Sequence, residues 1–129
     1  MENTTNNTTT NQSIWVVSAS WRNADGFDDT QVWLFNSREG ALRLIDKKWG
    51  EEITYLRDEL SLTITDEMTA YARENEGGYW EWDGDELVQI EDGYHADLIL
   101  ERRDDYIHIY TNLDYASIEY VVFERKIED

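Results

Sequence analysis

The side chains with the widest choice of chemistry in this chain are two histidines, many hydroxyls and an excess of carboxylates. The 129-residue sequence contains His95, His108 and no cysteine, so thiolate metal sites and cysteine nucleophiles are excluded. A hairpin turn at Arg103-Asp104 would pair residues whose numbers sum to about 207. That register places His108 opposite Ile99 and His95 near Asn112, so the two histidines do not meet. Neither is predicted to be catalytic or to bind a metal ion.

No other pattern predicts an enzyme. Serine and threonine are frequent, but none lies in a nucleophile-elbow motif and the pattern places none beside a histidine. There is no glycine-rich phosphate loop. A pair of carboxylates at glycosidase separation stays open, but with 29 acidic residues such a pair is uninformative. We therefore assign no catalytic residue and no cofactor, and expect a protein that is not an enzyme.

Two oxygen-rich turns raise the question of metal binding. Asp25 to Asp29 and Asp83 to Glu86 each contain an Asp-Gly pair. Neither fits the Ca²⁺ loop, which needs acids at alternate positions, a central glycine and a distal Glu. Asp-Gly is also an ordinary turn sequence, so no specific metal site is predicted. Weak association of Ca²⁺ or Mg²⁺ with an acidic surface is left open.

The acidic charge is concentrated in the second half of the chain. The formal net charge is −18. Residues 1–60 carry ten acids and six bases, a net of −4, whereas residues 61–129 carry nineteen acids and five bases, a net of −14. The stretch from Glu74 to Glu101 holds ten acids and no Lys or Arg. Such a surface repels nucleic acid and anionic membranes and attracts basic protein surfaces.

This acidic stretch also contains aromatic residues, a mixture that suits a protein interface. Rings anchor an interface and carboxylates pair with Arg and Lys. Trp80 and Trp82 share one face of a strand, so we assign them to the core. The predicted partner-binding residues are Glu76, Glu81, Asp83, Asp85, Glu86, Glu91, Asp92, Asp97, Tyr79 and Tyr94.

The elements that must position these residues begin with a hairpin and a helix. Residues 14–21 and 30–35 are predicted strands. Asn36 is the predicted N-cap of a long helix, with Glu39 in capping-box spacing. The helix is expected to bury the apolar stripe Ala41, Leu42, Ile45, Trp49, Ile53, Leu56 and Leu60. Its charged residues, including Asp46, Glu51 and Glu52, are read as a solvated face. Gly50 is a possible kink.

The rest of the chain is predicted to hold one short helix and a series of strands. Leu62 and Ile64 alternate with polar residues and suggest a short extended piece. Thr65 would cap a helix over 66–75, stopped by Gly77-Gly78. Strands at 79–82, 86–90, 94–101, 106–111 and 116–127 would then form an antiparallel meander of up to five strands.

The predicted fold class is α+β, with a twisted antiparallel sheet packed against one main helix and a short second helix. Residues 1–12 are expected to form a disordered polar tail and residues 13–129 a single domain. No apolar run is long enough to cross a membrane and the N-terminus lacks the features of a secretory signal. We therefore expect a cytoplasmic protein, in the host cytoplasm if it is virus-encoded.

The functional hypothesis is a small acidic inhibitor that occupies the basic nucleic-acid-binding surface of a partner, such as a nuclease, without itself binding nucleic acid or membrane. Virus-encoded anti-defence proteins, including anti-restriction and anti-CRISPR proteins, resemble this chain in size and charge. One alternative is an immunity protein or antitoxin that masks a basic toxin. Another is a halophile-adapted domain, since only three of eleven bases are Lys. A regulatory binding domain is also left open.

Overall fold

The computed structural model describes residues 12–26, 28–113 and 116–127, which form a seven-stranded sheet with two helices. The strands are β1 (Ser13–Arg22), β2 (Asp28–Phe35), β3 (Gly78–Asp83), β4 (Glu86–Ile90), β5 (Leu98–Arg103), β6 (Tyr106–Thr111) and β7 (Ala116–Lys126), and the helices are α1 (Arg38–Asp58) and α2 (Asp66–Glu74). The strand order is β2-β1-β7-β6-β5-β3-β4. All neighbouring strands are antiparallel. The predicted α+β class is confirmed. Of the predicted tail, residues 1–12, all but Gln12 lie outside the described residues.

One face of the sheet packs on the helices. No helix of the described residues covers the other face, which we call the helix-free face. Alternation along β1 directs Val17 and Ala19 into the core, with Trp15 and Trp21 packed at its border. The core continues through the facing positions of β5, β6 and β7 and through α1. The helix-free face is mixed: Val32 and Leu34 of the edge strand β2 are exposed on it.

The long helix begins one residue later than predicted. Ser37, not Asn36, is the N-cap: its backbone is extended and its Oγ accepts a hydrogen bond from the Gly40 N–H at 3.1 Å. Glu39 is then the second helical residue instead of the third, so the predicted capping box does not form. The buried stripe is as predicted as far as Leu56, except that Leu44 instead of Leu42 packs against the core. Leu60 lies beyond the end of the helix and is only partly buried. Gly50 does not interrupt the helix.

The short helix agrees with its prediction at the start and differs at the end. Thr65 is its N-cap and accepts a hydrogen bond from the Met68 N–H at 3.1 Å. The chain leaves the helix through Glu76, which has a φ of 62°, so a non-glycine residue takes the left-handed conformation that we expected of glycine. The predicted extended piece is not a strand of the sheet, although Leu62 and Ile64 are buried.

The predicted meander is wrong in its order at β3, β4 and β5. β4 is an edge strand, and β3 lies between β4 and β5. The connection from β4 to β5 therefore crosses β3, and Gly93 rests on the Tyr79 ring so closely that a Cβ would lie 2.6 Å from Cε1. Tyr94 and His95 belong to a short 3₁₀ turn in this connection, not to a strand. The Asp92 carboxylate turns the chain there by accepting the Tyr94 N–H at 2.9 Å.

The predicted register between β5 and β6 is also wrong. The turn lies at Asp104-Asp105, and paired residue numbers sum to 209, as in Leu98 and Thr111. His108 is consequently opposite Glu101 and not Ile99. Because Asp104 and Asp105 form the turn instead of Arg103 and Asp104, the residue opposite each strand position is two residues further along the chain than predicted. The shift changes which side chains are neighbours on the helix-free face.

Candidate functional site

The strongest concentration of unpaired charge is on the hairpin of β3 and β4. We call its carboxylates Glu81, Asp83, Asp85 and Glu86 the acidic hairpin. Gly84 is the first of two turn residues and has a φ of 67°, as a type II′ hairpin turn requires. Asp83 and Glu86 are directly paired across the turn, and Glu81 is paired with Val88. By alternation, Glu81, Asp83 and Glu86 lie on the helix-free face.

Tryptophans on the opposite face attach this hairpin to the core. Trp80 is 3% exposed, and Trp82 and Leu87 pack against the core cluster. The assignment of Trp80 and Trp82 to the core is therefore confirmed. The hairpin is thus anchored to the core from one face, by the buried Trp80 and the partly buried Trp82 and Leu87, while its carboxylates are exposed.

The acidic hairpin has no neutralising neighbour. No ion pair found within residues 12–26, 28–113 and 116–127 includes any of its four carboxylates. Carboxylates directly opposite each other, such as Asp83 and Glu86, destabilise an antiparallel pair. By contrast, the charges of α1 are largely balanced, with Glu51 3.1 Å from Lys48 and 3.9 Å from Lys47. The hairpin therefore holds negative charge that the fold does not use.

The crossing connection brings three more of the predicted residues to the same face. Glu91 and Asp92 are exposed, and Tyr94 is 89% exposed. The hydrogen bond from the Tyr94 N–H lowers the pKa of Asp92 from its ordinary value, and the His95 ring at 3.1 Å lowers it further. Tyr79 is half-buried beneath this connection. It supports the connection from below and offers only part of its ring to a partner.

Asp97 is held by bonds within the fold. Its carboxylate accepts the Trp82 N–H at 2.8 Å and the Asn112 side-chain amide at 3.0 Å. Its backbone N–H donates to Trp80 and its carbonyl accepts from Asn112, each at 2.9 Å. These bonds fix the hairpin to β5 and β6, so Asp97 is a positioning residue for the hairpin.

Glu76 lies apart from the other predicted residues. It borders a cleft of about 290 Å³ whose walls include Arg38, Arg73, Arg102 and Arg103. The neighbourhood of Glu76 is thus rich in bases, and the acids of the Glu74 to Glu101 stretch do not all share one surface. The structure brings together the hairpin and the crossing connection, and it leaves Glu76 on its own.

Two acids of α1 that we read as solvated have specific partners. The Asp46 carboxylate accepts a hydrogen bond from the buried Arg102 guanidinium. The Glu52 carboxylate accepts the Tyr120 hydroxyl at 2.7 Å. Burial, only partly offset by this hydrogen bond, raises the pKa of Glu52. A signal was present in the sequence, since Glu52 is three residues after Trp49 on the buried side of the helix.

The corrected register assembles a polar network that the sequence analysis missed. The His108 Nδ1 lies 2.7 Å from a Glu101 oxygen, and its Nε2 lies 3.5 Å from the Ser117 Oγ. The expectation that no serine lies beside a histidine is thus wrong. Ser117 is paired on both sides, with Arg22 and with Tyr110. The sheet ladder uses the backbone around it, so no pair of free N–H groups is available there to stabilise an oxyanion.

Comparison with known protein families, with characterised proteins and with solved structures finds no match to this chain. Within the part of the chain that the structure describes, no three His, Asp or Glu side chains converge in a way that would hold a metal ion. The described helices also lack the combination of length and apolar character that crossing a bilayer requires.

Proposed function

We propose that this chain is an inhibitor that uses the acidic hairpin to occupy the basic, nucleic-acid-binding surface of a partner protein. The observation that carries the proposal is the pairing of Asp83 with Glu86 on a hairpin anchored to the core, where no base of the described residues forms an ion pair with either carboxylate. Like charges held face to face lower the stability of the free protein. A cationic partner surface would offset that cost, so the same carboxylates favour association.

The anchoring of the hairpin to the core supports binding over mere solubility. Trp80, Trp82 and the Asp97 bonds hold the hairpin before any partner arrives. Association then loses little conformational entropy at these carboxylates, which raises affinity for a given set of contacts. An acidic tail that served only solubility would need no such anchoring.

The spacing of the carboxylates supports a nucleic-acid-binding surface as the target. Same-face positions on a strand are ~6.6–6.8 Å apart, as for Glu81 and Asp83 on β3. Each DNA strand places one phosphate per roughly 3.4 Å of axis. This value of roughly 3.4 Å is a rise along the axis, and neighbouring phosphates, which also wind around the axis, lie farther apart through space. Glu81 and Asp83 therefore place two negative charges at a separation of the same order as neighbouring phosphates, which suits lysines and arginines arranged along a phosphate backbone.

The uneven charge supports a specific site over a general salt adaptation. Helix α1 mixes both signs and pairs many of them, as in the Arg57–Asp66 contact at 3.2 Å between α1 and α2. The acidic hairpin carries four acids and no base. A halophilic coat would spread acids over the whole surface.

Capture from lysate tests the proposal. We expect the immobilised chain to retain a basic nucleic-acid-binding protein from nuclease-treated lysate at low salt, because opposite charges attract. Added duplex DNA and molar KCl should each release that protein, since both compete for or screen the same charges. If the retained protein is a toxin, and DNA and salt release it too, the result would favour the alternative that this chain is an immunity protein. Recovery only of proteins that DNA and salt leave bound would contradict the proposal.

A further inference from the structure

A second candidate site lies away from the acidic hairpin, between α1 and the sheet. A cavity of about 440 Å³ opens there, bordered by the second half of α1, the end of β1 and the start of β7. Most of its wall is apolar or aromatic, including Trp21, Tyr55, Leu56, Leu60 and Ile118. A concave apolar pocket with a few polar groups is the usual form of a small-ligand site.

The charged residues of the cavity wall differ in whether they have an ion-pair partner. Arg22 pairs with Asp28 at 3.6 Å, and Glu51 pairs with Lys48 at 3.1 Å. Glu52 lies in the same wall, is only partly exposed and contacts no base within the described residues. Its hydrogen-bond donors are neutral, the Tyr120 hydroxyl and the Trp21 side chain, and Lys48 acts on it through its charge without forming an ion pair. A carboxylate in apolar surroundings is stabilised most by a cation.

We infer that this cavity binds an organic cation, an ammonium or guanidinium group on an apolar or aromatic stem, with Glu52 as its counter-ion. The stem packs against the aliphatic wall, and the Trp21 and Tyr55 rings add cation–π attraction. The net charge of −18 favours the approach of a cation over that of an anion. The inference does not rest on the proposed function, because no residue of the acidic hairpin borders the cavity.

The cation has two possible sources that share this chemistry: a free small amine, or a Lys or Arg side chain of another protein. Phenethylamine represents the first source, and a blocked tripeptide with a central arginine represents the second. The neutral isostere 2-phenylethanol has the same stem without the charge. The probe that binds more tightly identifies the source.

Titration of the ¹⁵N-labelled chain, followed through the Trp21 indole signal, tests the inference. We expect saturable binding of at least one cationic probe, and weakening by roughly tenfold or more in Glu52→Gln, because a charged hydrogen-bond partner is lost. Glu52→Gln keeps an oxygen that can accept the Tyr120 hydroxyl. The matched control Asp58→Asn removes an exposed carboxylate of the same helix that does not border the cavity, so its effect should stay below about threefold.

The pH dependence of binding gives a second readout. Glu52 faces Lys48 and Glu51 on its own helix, Tyr120 on β7 and Trp21 on β1, and Arg22 borders the same cavity. The pKa of Glu52 is raised mainly by burial, so the carboxylate takes up a proton as the pH falls toward that raised value. Affinity for the cation should therefore decrease on acidification in the wild type and stay nearly constant in Glu52→Gln.

Three results would overturn the inference. The first is equal affinity of the cationic probes for Glu52→Gln and the wild type. The second is binding of 2-phenylethanol as tightly as phenethylamine. The third is no saturable binding of any probe up to about 10 mM, a limit of roughly 3 kcal/mol in binding free energy. Retention of the wild-type amide spectrum in Glu52→Gln shows that any loss is not due to unfolding.

Discussion

Replacing Asp83, Asp85 and Glu86 together by lysine is expected to abolish binding of the captured basic protein and to leave the fold intact. Each reversal turns an attraction into a repulsion, and close charge pairs across an interface are worth about 1.5–7 kcal/mol. Affinity should fall by more than about 100-fold. All three side chains are exposed and form no ion pair or hydrogen bond within the described residues, so the midpoint of unfolding should change little.

A matched control separates a site from a general effect of charge. Asp58→Lys, Glu59→Lys and Glu124→Lys change the net charge by the same amount at exposed positions on α1, just after it and on β7. Equal loss in both triple variants would mean that only total charge matters. Unchanged affinity in the hairpin variant would move the interface elsewhere, for example to Asp25, Asp28 and Asp29 at the turn between β1 and β2. Isothermal titration calorimetry of the captured protein measures both variants.

Trp80→Ala is expected to be the most destabilising single change in the hairpin. Trp80 is 3% exposed and forms an edge-to-face contact with Tyr71, their ring centroids 6.4 Å apart. Gly78 lies against the Trp80 ring, so closely that a Cβ at residue 78 would be 2.5 Å from that ring. Removing a buried tryptophan side chain costs about 3–5 kcal/mol of unfolding free energy. Urea denaturation followed by circular dichroism measures the loss.

Val88→Ala is the control on the opposite face of the same hairpin. Val88 is 41% exposed, so its truncation should cost less than about 1 kcal/mol. A small effect of Trp80→Ala, comparable with that of Val88→Ala, would show that the hairpin is not anchored to the core. The rigid presentation of the carboxylates would then lose its support.

The pattern of apolar residues was enough to predict the α+β class and most elements. The alternation in 14–21 and the three- and four-residue steps from Ala41 to Leu60 dictate which faces are buried, because burial of apolar surface is the dominant favourable term in folding. The core positions of Trp80 and Trp82 followed from the same alternation. Asp83-Gly84 predicted the hairpin turn correctly because its dihedral demands are local.

Features that depend on contacts far apart in sequence were missed. Asp92-Gly93 also has a hairpin-turn sequence, yet Gly93 packs on Tyr79 and the chain crosses β3. The register of β5 against β6 depended on which of several polar residues formed the turn, and a shift there paired His108 with Glu101. The role of Glu52 required the position of Tyr120, which is 68 residues away in the chain.

Counting charges along the sequence predicted only part of the candidate site. Counting acids located the hairpin carboxylates, because exposed charges on an edge hairpin need no long-range partner. It also included Asp97, which the fold uses to hold Trp82 and Asn112, and Glu76, which lies among arginines. A charge count does not distinguish a carboxylate that is free from one that accepts hydrogen bonds inside the fold.

Displacement of a fluorescently labelled DNA duplex from the captured protein tests the central claim most directly. The chain is predicted to displace the duplex completely, with an inhibition constant equal to its own directly measured Kd and with an affinity that falls as salt is added. The hairpin lysine variant should displace none. A ternary complex, in which the chain binds and the duplex stays bound with unchanged anisotropy, would contradict the claim that the acidic hairpin occupies the nucleic-acid-binding surface.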